Sequence, residues 1–223
     1  AGIRPERART VEIGAYWNQS GNPAGNQRRD QPAGDGTTGG TGLWQGKIVL
    51  FQSRVRDLVT YAPVCPDPDP QYAFGCADNV DRARITGLSV GLGQRPARGG
   101  DGRDRSGFGW SVDVDFLDPR NLTTDTRLPR RAKRQLTAGA DYGLGPFTVG
   151  ADLLTASRRY DDAANQQLLG GYLLLNLRAA YRIAPRWEAF ATLFNAGDRR
   201  YATAFNYAQQ GRLALLGVRY ETP

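Results

Sequence analysis

The chain has 223 residues, 28 of them glycine and 13 proline, with no histidine, two cysteines and a net charge of +7. That charge is nearly all arginine, in scattered pairs (Arg28-Arg29, Arg130-Arg131, Arg158-Arg159, Arg199-Arg200) instead of one basic face with interleaved aromatics; this argues against a nucleic-acid partner and leaves solvated loop charge as the plain alternative. No run approaches ~18 uninterrupted apolar residues, so no helix spans a membrane, but a mean hydropathy of -0.52 does not exclude membrane strands, which alternate polar and apolar side chains.

Period-two alternation recurs along the chain. Over 10–17, Val11, Ile13, Ala15 and Trp17 share one face and Thr10, Glu12, Gly14 and Tyr16 the other. Strands over 47–61 and 81–93 alternate less cleanly. Between them lie Cys65 and Cys76, in a proline-rich stretch that reads as loop. Two thiols closing a short loop point to a disulfide formed in an oxidising compartment, and without histidine they are too few for zinc. Trp110, Val112, Val114 and Phe116 then oppose Ser111, Asp113 and Asp115; Leu136, Ala138, Ala140, Tyr142 and Leu144 oppose Gln135, Thr137, Gly139 and Asp141. Phe147, Val149, Ala151 and Leu153 oppose Thr148, Gly150 and Asp152, and Leu173 through Ile183 alternates with Asn176, Arg178 and Arg182. Trp187–Leu193 and Ala214–Tyr220 complete about nine strands.

A soluble sandwich also alternates. Strand length and aromatic placement favour an all-β, antiparallel transmembrane barrel. Gly145-Pro146 and Ala184-Pro185 read as tight turns, whereas 161–171 and 202–211 are long polar loops, and short turns opposite long loops are the habit of outer-membrane barrels. With the last strand ending in the periplasm, Trp17, Trp44, Trp110, Tyr142, Phe147, Tyr181, Trp187 and Tyr220 gather at that side. Tyr61, Phe116, Tyr160, Tyr172 and Tyr201 gather at the other, as two aromatic girdles. The connections over 18–42 and 94–106 are expected to be long, glycine-rich and periplasmic. Glu12, Asp113, Asp115, Asp141, Asp152, Asn176, Arg178, Arg182, Glu188 and Arg219 fall on inward faces, where polar groups meet water instead of lipid. Asp113 with Asp115, or Asp161 with Asp162, is too small an oxygen set for calcium, so no metal and no cofactor is expected. An enzyme reading would need a nucleophile with a base, commonly histidine, and is not favoured.

Asn195-Ala196-Gly197-Asp198-Arg199-Arg200-Tyr201 is similar to the Asn-Leu-Phe-Asp-Lys-Arg-Tyr element of TonB-dependent receptors. Asn206-Tyr207, Gly211-Arg212 and Leu216-Gly217-Val218-Arg219-Tyr220 resemble that family's closing sequence, and Arg4-Pro5-Glu6-Arg7 resembles its Leu-Lys-Pro-Glu run. Asp57-Leu58-Val59 and Arg82-Ala83-Arg84-Ile85-Thr86-Gly87 match further recurrent elements. Within the family, Leu128-Pro129-Arg130-Arg131-Ala132-Lys133, Arg159-Tyr160-Asp161-Asp162 and Gly171-Tyr172 look most like the cobalamin receptors. Gly197 replaces the usual Phe, and the chain closes on Glu221-Thr222-Pro223 instead of an aromatic residue.

The resemblance implies that residues 1–223 are the C-terminal part of a receptor barrel in the bacterial outer membrane. Its partners are then lipid and lipopolysaccharide, the remaining strands, an N-terminal plug that nothing in this sequence resembles, and TonB acting through that plug. The imported ligand is expected to be cobalamin, with a siderophore as the alternative; a passive porin or adhesin would explain the alternation but not the closing motifs. Tyr160, Asp161, Asp162, Tyr172, Tyr201 and Tyr207, in or beside the long loops, are the expected ligand contacts. Arg130, Arg131, Arg134, Arg158, Arg159, Arg199 and Arg200 sit at outer strand ends, where guanidinium forks suit lipopolysaccharide phosphates.

Overall fold

A computed structural model describes residues 3–19, 43–62, 65, 75–95 and 106–222. Nine strands form one antiparallel sheet: β1 (Arg7–Asn18), β2 (Leu43–Ala62), β3 (Cys76–Arg95), β4 (Gly107–Asn121), β5 (Arg134–Leu144), β6 (Phe147–Ala156), β9 (Tyr172–Ala184), β10 (Trp187–Phe194) and β13 (Leu213–Tyr220). Two small hairpins sit inside loops, β7 (Arg159–Tyr160) with β8 (Leu168–Leu169), and β11 (Ala202–Ala204) with β12 (Tyr207–Ala208). The nine sheet strands are those that the alternation predicts, and each pairs with its neighbour in the sequence of long strands. The two hairpins are a difference: the stretches 161–171 and 202–211, read as plain loop, are folded back and hydrogen-bonded.

Residues directly opposite in an antiparallel pair share a face, so the register sorts every side chain. One row runs Trp17, Gly46, Leu92, Val112, Ala138, Leu153 and Leu175 across seven strands, wholly apolar. The charged residues assigned to inward faces all fall on the opposite side of the sheet. Large apolar side chains on the first face stay open, Ile13 at 74% and Leu216 at 78% exposed, with no second layer among the described residues packed over them. A sheet with one bare apolar face and one charged face suits a boundary between lipid and water.

The two ends of the sheet differ. At the turn end, Gly145-Pro146 joins β5 to β6 with a positive φ of 56° at Gly145, a backbone shape that glycine adopts without a Cβ clash. Pro185-Arg186 joins β9 to β10. Aromatic side chains of the apolar face line this end in cross-strand contacts: Trp44 with Trp110 at 5.7 Å, Phe147 with Tyr181 at 4.6 Å, and Trp187 with Tyr220 at 4.9 Å between centroids. At the loop end the second girdle is less regular. Phe116 lies on the apolar face, but Tyr172 pairs with Ala156 on the polar one, and Tyr160 and Tyr201 belong to loops. The Tyr61 side chain, and all but the ends of the connections over 18–42 and 94–106, lie outside the described residues.

Strands β2 and β3 have 20 residues each, about twice the 9–11 that cross a bilayer. Their projecting halves carry the main buried cluster, Val55, Leu58, Val80 and Ala83, closed by Leu128 from the β4–β5 loop. Cys65 and Cys76 are joined by a disulfide, with Cα atoms 5.9 Å apart. Arg4 ties the approach to β1 to this projection, at 2.9 Å from Asp57 and 2.5 Å from Asp81. The bond to Asp81, then the field of Asp57, raises its pKa above the ordinary arginine value.

Candidate functional site

The polar face is built from straps that cross a glycine. Lys47 on β2, Gly91 on β3 and Asp113 on β4 stand in one row, and the Lys47 ammonium reaches Asp113 at 2.8 Å across the intervening strand. Asp141, Gly150 and Arg178 repeat the device on β5, β6 and β9, at 2.7 Å, and Arg178 also engages Asp152. A Cβ on Gly91 would lie 2.6 Å from Asp113 Oδ1, and one on Gly150 2.5 Å from Asp141 Oδ1. The bare backbone leaves room for charges two strands apart to meet. Glu188 accepts from Arg219 at 3.2 Å farther along the same face.

At the loop end three connections lock together. The Arg130 guanidinium donates to both carboxylate oxygens of Asp161, at 2.7 and 3.3 Å, and its backbone N donates to Tyr160 O at 2.6 Å. Asn165, at φ 60°, accepts from Arg127 N at 2.8 Å and donates to Arg127 O at 2.9 Å, so its amide completes a strand-like pair. Asp162 caps its own turn by accepting from the backbone N of Gln166 and Gln167, the side-chain-to-backbone bonding for which aspartate is favoured in turns. Arg159 is buried beneath the β11 hairpin, donates to Ala202 O at 3.1 Å and lies 5.3 Å from the Tyr172 ring centre. Tyr172 in turn meets Tyr201 at 4.6 Å.

These contacts sort the predicted residues. Tyr172 and Tyr201 come together as half-buried rings and Tyr160 stands beside Arg127 instead, whereas Tyr207 is 70% exposed in the β11–β12 hairpin. Asp161 and Asp162 are buried, and their oxygens serve Arg130 and the 162–167 turn, so they shape the loop instead of facing outward as ligand contacts. Arg159 is likewise turned inward and does not present a free fork to lipopolysaccharide, while Arg131, Arg134, Arg158, Arg199 and Arg200 are exposed. Arg130 combines both, paired with Asp161 yet 40% exposed.

Sequence reasoning missed the buried amides. Asn195, at φ 47°, accepts from Arg199 N at 2.8 Å, donates to Arg199 O, and takes its place through its own N bonding Asn176 Oδ1 at 2.9 Å. The signal was present, because asparagine at the end of an alternating run is a residue that tolerates positive φ. Gly197 has open space where a Cβ would stand, so its departure from the family's Phe breaks no local contact. Among the described residues, no three acidic or thiol groups converge to hold a metal ion.

A family model described as TonB dependent receptor-like, beta-barrel matches residues 1–196. The vitamin B12 transporter BtuB of Photobacterium profundum is 26% identical over 197 residues, covering 88% of this chain and 31% of that protein, so the chain spans about a third of its curated relative. Among solved structures, the copper transporter OprC superposes with a TM-score of 0.66 at 16% identity, covering 98% of this chain and 32% of the other. The pyoverdine outer membrane receptor FpvA of Pseudomonas aeruginosa PAO1 gives 0.65 at 13% identity, covering 99% and 30%. The chain belongs to the TonB-dependent receptor family, and its nine-stranded sheet is a stretch of that family's β-barrel wall.

Proposed function

We propose that this chain forms barrel wall and outer loops of a bacterial outer-membrane receptor that imports cobalamin or a similarly bulky nutrient. The observation that carries the reading is the register, which keeps one face apolar from the turn end up to the arginines near the loop end, and the other face charged. The loop end faces outward and the turn end faces the periplasm. Strands β1 and β13 leave unpaired backbone groups at the two sheet edges, which hydrocarbon does not tolerate. A closed barrel of about eight strands would also fill with its own side chains. The chain therefore works with further strands and a plug, through which TonB supplies energy. The sequence relative named for vitamin B12 supports cobalamin; the solved relatives named for copper and pyoverdine share the fold at 13–16% identity and favour no ligand.

The rings of Tyr160, Tyr172 and Tyr201 offer flat apolar surface to the ligand, and Tyr207 adds an exposed contact from outside. Asp161, Asp162 and Arg159 act by holding those rings in place. The exposed Arg131, Arg134, Arg158, Arg199 and Arg200 face lipopolysaccharide. In a strain lacking its own cobalamin receptor, the chain co-expressed with plug and upstream strands restores growth on limiting cobalamin, and the chain alone does not. Growth with the chain alone, or restored siderophore uptake without cobalamin uptake, would overturn the respective part.

A further inference from the structure

The register brings together arginines that are far apart in sequence. Arg9 on β1 stands directly opposite Arg54 on β2, which stands opposite Arg84 on β3. Arg120 on β4 continues the row. Two residues nearer the loop end, Arg7, Arg56 and Arg82 form a second row. Both rows lie on the apolar face, in step with Val11 and Ile13 on β1 and with Leu50 on β2. Like charges directly opposite one another on a sheet destabilise it. Arg120 is compensated by Asp118 and Asp125, but among the described residues none of the six arginines that β1–β3 contribute to the two rows is in an ion pair. Arg54 finds only the neutral Gln52 amide, and Arg84 Nε is buried without a partner.

Their height on the wall points to the missing charge. Trp44 marks the turn-end edge of the apolar band, and Arg54 is ten residues farther along β2. Ten residues rise about 33 Å along a strand, or about 23 Å at a tilt near 45°. That matches the apolar band of about 25 Å, beyond which a lipid-facing arginine costs only about 0–1 kcal/mol against about 2–4 at the midplane. Below the first row a depression is lined by Val11, Ile13 and Leu50 together with the polar Gln52 and Thr86, and Arg9 and Arg54 border it. Cations above a mostly apolar trough complement an amphiphile whose head is anionic.

We propose that these two arginine rows, on the outside of the barrel wall, bind the phosphates of a phosphorylated glycolipid of the outer leaflet. This rests on the reading of the chain as outer-membrane wall. Two rows of three cations suit a lipid with more than one phosphate, since each guanidinium fork takes a phosphate bidentately. The site is distinct from the loop-end arginines, because it lies on three adjacent strands and holds acyl chains as well as charge.

The test uses receptor containing the complete chain, purified from outer membrane, with co-purified glycolipid counted per protein by mass spectrometry. Replacing Arg9, Arg54 and Arg84 by Gln lowers retained phosphorylated glycolipid at least about tenfold, the factor that one lost charge-assisted contact supplies. The Lys versions retain part of it, and Arg219→Gln, on the water-facing side of the sheet, retains it all. Equal retention in the triple Gln variant, equal binding of dephosphorylated glycolipid, or retention of single-phosphate phospholipid alone would overturn the proposal. Heat-modifiable migration of the triple variant shows that its barrel still forms. Absence of the unaltered protein from the outer membrane would instead overturn the wall reading itself.

Discussion

At the loop end the polar groups that define the shape are buried: Asp161, Asp162, Asn121 and Asn195 are each below a tenth exposed, and each has hydrogen-bond partners. On the wall, the straps Lys47–Asp113 and Arg178–Asp141 keep between 35% and 51% of their side-chain surface open. The difference follows from what surrounds each region. The wall gets its form from a continuous backbone ladder and needs side chains only to match lipid on one face and water on the other. The loops have little ladder, so buried side-chain bonds and a disulfide must define them, and losing one partner strands another away from water.

The largest effect is expected where the constraint is covalent. Reducing the Cys65–Cys76 disulfide should destabilise the β2–β3 tip by roughly 2–3 kcal/mol in the chain-entropy view. It should raise proteolysis at that tip and leave heat-modifiable migration unchanged; two reactive thiols in unreduced, unfolded protein would refute the bond. Next comes Asp161→Ala, which takes from Arg130 its carboxylate partner of the 157–171 loop. Because Arg130 is partly exposed, solvent softens the loss to about 1–3 kcal/mol. Faster amide exchange over 157–171 with unchanged exchange in β6 and β9 would place the loss in the loop.

The wall should be more forgiving. Gly150→Ala puts a methyl group against the Arg178–Asp141 strap, but the obstructing atoms are flexible side-chain ends, so a cost of about 1 kcal/mol or less is expected. Asp113→Asn should cost about 0–1 kcal/mol, as for other exposed pairs. If Asp113→Asn proved as damaging as Asp161→Ala in thermal unfolding, the contrast between wall and loop would fail.

Sequence legibility divides along the same line. Alternation is local, so the wall strands were readable from spacing, and the faces of all but β2 and β3 with them, down to the inward Asp141 and Arg178. Strands β7, β8, β11 and β12 are two or three residues long and hold no period; their turns depend on Asn165 and Asn206 at positive φ and on loops far away in sequence. Asp161 and Asp162 looked like outward ligands because burial by another loop leaves no mark on a local pattern. Arg54 and Arg84 continue the apolar parity of Leu50 and Leu88, a signal that was present, but their juxtaposition with Arg9 needs a register across long connections.

Strand β9 decides whether the wall has lipid on one face and water on the other. With Cys65 and Cys76 replaced by Ser, single cysteines placed in turn at positions 174 to 181 of the receptor carry a spin label. Labels at the Leu175, Leu177, Ala179 and Tyr181 positions should relax with a lipid-soluble reagent, and those at the Leu174, Asn176, Arg178 and Ala180 positions with a water-soluble one. A strict period of two along all eight sites is the expected result. Uniform access to the aqueous reagent, or a period that breaks within the strand, would contradict it.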